Sequence, residues 1–359
     1  MKQIVNIRIF LVCFTIIYHF CSFLSLAQTE ADPAGFHPAA TKLFQSDDLV
    51  ELTLSFNMNE VLKDVGDDRI KHDAIITYTD EAGQQISLPI RIRTRGHFRR
   101  DPVNCNFPPI LLDFPKSETV NTIFEGQNEL KLVTHCRSKS KSFEQIVIKE
   151  YLVYKIYNLF TEESFRVRLV RILYEDTEGK KDPITQFGFL IEPEEQMADR
   201  NGYEIMEIEY VSQERTQQDK MMTLCVFQYF IGNTDWSVPV LHNIILLSKD
   251  VQQPPVAVPY DFDWSGMVNA PYAYPAPQLG IENVRQRLFR GFCRPEEEYQ
   301  PAFDLFLEKK SEIYSLCENF PYLDPRELKG LTNYFNLFYK TIQNPKSVRN
   351  EFYLKCRSN

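Results

Sequence analysis

Residues 227–247, FQYFIGNTDWSVPVLHNIILL, and their continuation 255–266, PVAVPYDFDWSG, decide how this chain is read. An apolar run delivers Asn233 and Asp235 at its end, and His242 and Asn243 stand directly before a second apolar run, 244–247. A third run, 256–260, ends in Asp261 and Asp263. Carboxylates at the ends of buried segments are costly to desolvate unless they are paired, hydrogen-bonded or bound to a metal. The second and third runs predict a hairpin, which would bring together two polar clusters set 26 residues apart, from Asp235 to Asp261. Asp261 and Asp263 share a face if they lie on a strand, so both can reach one divalent cation.

Outward from this stretch, residues 218–231 read as a helix, apolar at Met222, Cys225, Val226, Tyr229 and Phe230. Upstream, strand patterns dominate. Residues 50–56 alternate as VELTLSF, 74–79 are β-branched, and 86–95 read ISLPIRIRTR after a turn at 81–83. Residues 110–114 and 130–133 read as further strands, and 57–63 as one helical excursion. This section is expected to be an antiparallel β unit. The first strong helix spans 143–160, with Ser142 as N-cap and Gln145 three residues later in a capping-box pattern. Strands at 167–174 and 186–191 follow, then a short helix at 193–201 that begins at Pro193 and stops at Gly202. Beyond the hairpin, residues 269–280 (NAPYAYPAPQLG) are ill-suited to helix, and 297–320, 325–341 and 346–356 read as helical.

Residues 1–27 have the pattern of a signal peptide: Lys2 and Arg8, an apolar run at 9–24, and Ser25-Leu26-Ala27 before Gln28. An uncleaved anchor is the alternative. Residues 28–45 read as a linker. The chain carries a formal net charge of −9, and loss of Lys2 and Arg8 with no acid leaves −11. That balance argues against a nucleic-acid partner, because such binding relies on Lys and Arg neutralising phosphates. Two of the eight cysteines fall in the targeting segment, and no CxxC pair occurs. Six cysteines allow fifteen connectivities. Sequence proximity ranks Cys105 with Cys136 and Cys293 with Cys356 first, and leaves Cys225, in an apolar helical run, as a buried thiol.

Several motifs together resemble the CotH-type secreted kinases, a branch of the atypical protein-kinase-like fold. Arg93-Thr94-Arg95-Gly96 resembles that family's Arg-x-Arg-Gly strand end, and LKLVTHC followed by a helix and the strands RVRLVRILY and QFGFLIEPEE resembles its middle section. NTDWSVPVLHN is similar to its Asn-x-Asp-Trp…Asn element and YDFDWSG to its Asp-x-Asp element. The resemblance covers roughly residues 90–266. It implies an α+β, two-lobed atypical protein-kinase-like fold, with a β-rich N-lobe over 46–205 and a mainly helical C-lobe over 206–359 that carries the hairpin.

The resemblance further implies ATP- and Mg2+-dependent phosphoryl transfer to a protein hydroxyl, with Mn2+ as a substitute metal. The setting would be secreted or periplasmic, with no stable membrane insertion once the signal peptide is removed. Asp235 would orient the hydroxyl or accept its proton, while Asn243, Asp261 and Asp263 would hold the metal. This sequence departs from the family in two places. Seven residues separate Asp235 from Asn243, and Asn106-Phe107-Pro108-Pro109 stands where a Pro-Lys-Lys segment is usual. The phosphate-binding cation must then be Lys131, paired with Glu150 as in a kinase Lys–Glu ion pair, or Arg95, whose guanidinium can chelate phosphate. His135 and His242 rank lower, since a lone His is more often structural. No GxGxxG or Walker motif is present, which also suits a non-catalytic kinase-like scaffold. A metal-dependent phosphoester hydrolase using the same acids is a third reading. A serine hydrolase is not, because GxSxG is absent.

Overall fold

Alternation builds the first half of the molecule. The structure, a computed structural model, describes residues 39–138, 140–250 and 252–358. The signal-peptide reading of 1–27 and most of the linker reading of 28–45 lie outside the described residues. In β1 (Val50–Phe56), β2 (His72–Thr79) and β3 (Gln85–Thr94), every second side chain is buried: Leu52, Leu54 and Phe56, then Ala74, Ile76 and Tyr78, then Leu88, Ile90 and Ile92. β4 (Ile110–Asp113), β5 (Glu129–Val133), β6 (Val167–Asp176) and β7 (Ile184–Ile191) complete the set. The order is β1-β2-β3-β4-β5-β7-β6, closed on itself by β6 and β1. All pairs are antiparallel except β1–β6, where Leu52 faces Ile172 and Leu54 faces Tyr174 in parallel register.

This closure corrects the expected fold. The sequence led to a two-lobed kinase-like architecture and an antiparallel β unit; the chain instead forms a closed, mixed seven-stranded barrel with helices mostly toward its C-terminal end. The described residues form one compact unit. Residues on the two sides of the boundary expected near 205 are joined in two ways. β8 (Glu204–Met206) pairs with β9 (Ile244–Ser248), which pairs with β10 (Val256–Pro259), so residues on both sides of 205 share one sheet. The helix Lys141–Tyr157, inserted between β5 and β6, also packs in the same apolar cluster as the outward faces of β5–β7 and the C-terminal helices. Val133, Leu169, Phe189 and Ile191 face that cluster, while Leu132, Val170, Ile172 and Leu190 face the barrel interior.

Local details follow their residues closely. Asn57 caps the short helix Met58–Val61 through its side chain, and Gly232 ends the helix Gln218–Ile231 with a left-handed φ of 68°. The expected capping box at Ser142 is not formed. The helix begins at Lys141, and the Gln145 side chain bonds the carbonyl of Tyr322 (3.1 Å) and the amide of Asp324 (2.8 Å) instead. The linker reading also extends too far, since Lys42–Phe44 forms a turn that buries Leu43 and Phe44. At the other end, Phe230 packs among Phe306, Phe335 and Phe338 from the helices Gln300–Glu308 and Pro325–Ile342.

Both expected disulfides are present, Cys105–Cys136 and Cys293–Cys356, and Cys225 and Cys317 are buried thiols. The bridges close loops spanning 31 and 63 residues, worth about 4 kcal/mol each in a chain-entropy account. They are compatible with an oxidising, extracytoplasmic compartment. Among the described residues, no helix is long and apolar enough to cross a membrane.

Candidate active site

The antiparallel register of β9 and β10 solves the spacing problem seen in the sequence. Ile244 faces Pro259, so the next residues outward, Asn243 and Tyr260, meet at the sheet's end, where the Tyr260 amide donates to the Asn243 carbonyl (3.1 Å). Asp261 follows directly. Asp235 arrives from the end of the helix Gln218–Ile231, and the chain beyond Asp263 returns to that end. There Gly266 N donates to Gly232 O (3.0 Å) and Met267 N to Ile231 O (2.8 Å). The two acid-bearing segments are thus bolted to each other through backbone.

The long interval between Asp235 and Asn243 is absorbed by a pinched loop. Ser237 and His242 exchange both backbone hydrogen bonds, at 2.9 and 3.0 Å. Asn243 then donates through Nδ2 to the carbonyl (2.8 Å) and Oδ2 (3.1 Å) of Asp235, while His242 Nε2 lies 2.8 Å from Asp235 Oδ1. That contact, with the Asp235 charge behind it, raises the His242 pKa despite partial burial. Asn233 accepts from the Asp235 amide at 2.9 Å, and Arg290 donates to the carbonyls of Thr234 and Trp236 on either side. Leu241, Asn243 and Asp261 all hold positive φ, of 48°, 53° and 58°. Asn and Asp tolerate that region; a leucine does so only where its surroundings impose it.

A cleft of about 390 Å3 collects these residues. Its lining includes Asp235, Asn243, Asp261 and Asp263, together with Arg95, Arg99, Lys131 and His242. Six of the seven side chains expected to bind metal or phosphate or to act on the acceptor therefore line one cavity; the seventh, Glu150, is buried outside that lining and faces its residue Arg99. Arg95 follows β3, its amide bonded to the Pro109 carbonyl at 2.8 Å. Lys131 sits on β5 but does not pair with Glu150: its ammonium is held by Glu194 and lies 5.7 Å from the Tyr260 ring centre. The cation facing Glu150 is Arg99, whose Nη1 is 3.9 Å from Glu150 Oε2 and whose Nη2 donates to the Thr134 carbonyl. His135 lies outside the cleft lining, stacked on Phe107 at 4.4 Å between ring centres.

Electrostatics mark the floor as unusual. Asp263 is 4% exposed, and burial, with Asp261 beside it, pushes its carboxyl up to about 7, against the pull of Arg99. Burial raises Glu150 well above the carboxylate range, and Asp263 and Asp261 add to the effect. Its Oε2 has no hydrogen-bond partner. Burial works against the Arg99 charge, but Tyr272, Asp263 and Glu150 outweigh it and hold its pKa up. Burial lowers Arg95, partly offset by Asp261. Tyrosines complete the arrangement: Tyr154 accepts from the Asp261 amide at 2.9 Å, and Tyr272 donates to Asp263 Oδ2 at 3.0 Å.

Sequence reasoning missed Arg99, Tyr154, Tyr272 and Arg290. Arg99 belongs to the basic tract RIRTRGHFRR, in which no local pattern separates a buried arginine from the exposed Arg91. Tyr272 lies in the stretch 269–280, whose residues showed only that it is ill-suited to helix. Compared with models of known protein families and with curated proteins, the chain matches none.

Proposed function

We propose that this protein transfers a phosphoryl group from a nucleoside triphosphate, with a divalent cation, to a hydroxyl on a protein acceptor, outside the cytoplasm in a secreted or periplasmic setting. This is the activity implied by its resemblance to the CotH-type kinases, and it rests here on the cleft rather than on any fold likeness. The observation that carries it is the convergence of an acid cluster and two guanidinium groups on one 390 Å3 cavity, within the roughly 300–1,000 Å3 range of ligand sites.

The residues present fit a metal–nucleotide pair. Two buried acids stand near each other, Asp263 with its carboxyl raised to about 7 and Glu150 with an oxygen that has no hydrogen-bond partner, and a cation bound there would offset their charge. Among the described residues, no group of three or more His, Cys, Asp or Glu side chains forms an all-protein metal cage. Mg2+ does not need one, because it is commonly held by one or two carboxylates together with substrate phosphates. Asp261 and Asp263 would hold it, with Asn243, whose amide nitrogen is committed to Asp235 and whose oxygen is left for another partner. Bound there, a metal would supply neutralisation of the phosphate charge.

Arg95 and Arg99 give the cleft fixed guanidinium donors suited to phosphate oxygens. Val133, Ile191 and Pro109 offer an apolar wall. Asp235, steered by His242 and Asn243, is the group that takes the acceptor's proton as its oxygen bonds to the γ-phosphorus and the nucleoside diphosphate leaves.

The test is a thermal melt with ATP and Mg2+ or Mn2+, followed by transfer of labelled γ-phosphate to casein or to the protein itself. Asp235→Ala is expected to keep the nucleotide-dependent rise in melting temperature and lose about a hundredfold or more in transfer. No stabilisation by nucleotide with either metal would overturn the reading. Stabilisation without transfer in the wild type would mark a binding scaffold, and phosphoester cleavage without nucleotide a hydrolase.

A further inference from the structure

A larger cavity, of about 550 Å3, lies elsewhere and shares no lining residue with the cleft. It opens where five elements meet: the end of the helix Lys141–Tyr157, the start of the helix Gln218–Ile231, β10, the turn Glu296–Glu298 and the helix Gln300–Glu308. Tyr157, Phe160, Met222 and Leu305, with Val256 and Ala257 of β10, give it apolar walls. A hollow of this size lined by apolar groups leaves its lining without the contacts that a packed interior gains, and such hollows are where small organic molecules bind.

Charge at the mouth is one-sided. Glu163, Asp219, Glu297 and Glu298 line it, and Lys220 is the one cation among its lining residues. Lys220 is already held by Glu163, and Glu298 is taken by Arg294 at 2.5 Å. Asp219 and Glu297 remain, both exposed and without a side-chain hydrogen bond or ion pair among the described residues. We propose that this cavity is a second ligand site, which takes a small amphipathic organic cation with its apolar body among Tyr157, Phe160 and Leu305 and its ammonium between Asp219 and Glu297. The proposal is independent of the phosphoryl-transfer reading.

The probes are 4-phenylbutylammonium and its neutral counterpart 4-phenylbutanol, titrated calorimetrically into the intact, disulfide-bonded protein. The amine is expected to bind about three- to tenfold more tightly than the alcohol at low salt, the size that two exposed carboxylates can supply, with the preference shrinking as salt screens them. In Asp219→Asn/Glu297→Gln, which alters only exposed side chains, the preference should fall to near unity while the alcohol's affinity is unchanged. Thr223→Trp, at a half-buried lining position, should block both probes while leaving the cooperative melt intact. Equal affinity of the two probes for the wild type, binding that survives Thr223→Trp, or binding of neither probe would each overturn the proposal.

Discussion

His135 gives the sharpest quantitative expectation. Its ring is fully buried against Phe107 and Tyr174, its Nε2 lies 3.1 Å from Ser138 Oγ, and its Nδ1 has no partner. Burial, with Arg99 adding to it, lowers its pKa from 6.5 to about 3. Since the folded value lies below the unfolded one, the unfolded chain holds one proton more than the native state throughout that window. Stability is therefore fully present above pH 6.5 and drains away as pH falls, by about 1.4 kcal/mol per pH unit down to the folded value. Between pH 7.5 and 5.0 the loss from this one ring is about 2 kcal/mol. Other groups titrate in the same range, so the measurement is a difference. Urea unfolding of the wild type and of His135→Gln, disulfides intact, is compared at both pH values. The variant should lose about 2 kcal/mol less than the wild type on acidification, whatever its stability at pH 7.5. Parallel losses in the two proteins, or an imidazole titration for His135 centred near 6.5, would refute the assignment.

Two further variants test the site and its supports. In Gly232→Ala, the new methyl would sit 2.1 Å from the Tyr334 hydroxyl on a residue held at φ 68°. The expected loss is about 2 kcal/mol or more by urea unfolding, since both collision and backbone strain act. Asp263→Asn should raise the melting temperature at pH 7.5 without metal. A carboxyl whose pKa is raised to about 7 binds protons the unfolded chain releases, so its contribution is lost as pH rises from about 4 through 7. The same variant should lose most of the stabilisation that Mg2+ with ATP gives the wild type.

How far the fold was legible depends on the range of the interaction concerned. Strands such as Val50–Phe56, whose buried face repeats every second residue, and helices such as Gln218–Ile231, closed by a glycine with positive φ, are written in adjacent residues. Closure of the barrel is not. It depends on β1 finding β6 about 120 residues away in parallel register, as Leu54 finds Tyr174, and nothing in VELTLSF marks one of its edges for that partner. The division into lobes failed for a related reason. Strands β5–β7 are covered on both faces, so their patterns cannot reveal that one face belongs to the barrel interior and the other to the helical cluster.

The site divides along the same line. Asp235, Asn243, Asp261 and Asp263 could be picked out because they sit where apolar runs stop, a local signal, and the β9–β10 register then assembles them. The cation opposite Glu150 could not. A strand lysine followed by a helical glutamate pointed to Lys131, but β5 pairs Lys131 with Ile191 at the end of β7, and the chain then turns into the helix beginning at Glu194, which takes the ammonium. Glu150, 1% exposed, is left facing Arg99, delivered by the short turn Phe98–Arg100. The substitution has a chemical logic. Burial drives a lysine toward its neutral amine, whereas a guanidinium keeps its charge and spreads its donors over several directions. Arg99 can therefore face Glu150, donate to the Thr134 carbonyl and still present an edge to the cleft. With Asp263 buried in its lining and Glu150 buried against Arg99, this pocket needs that kind of cation, and a half-exposed lysine on the rim does not supply it.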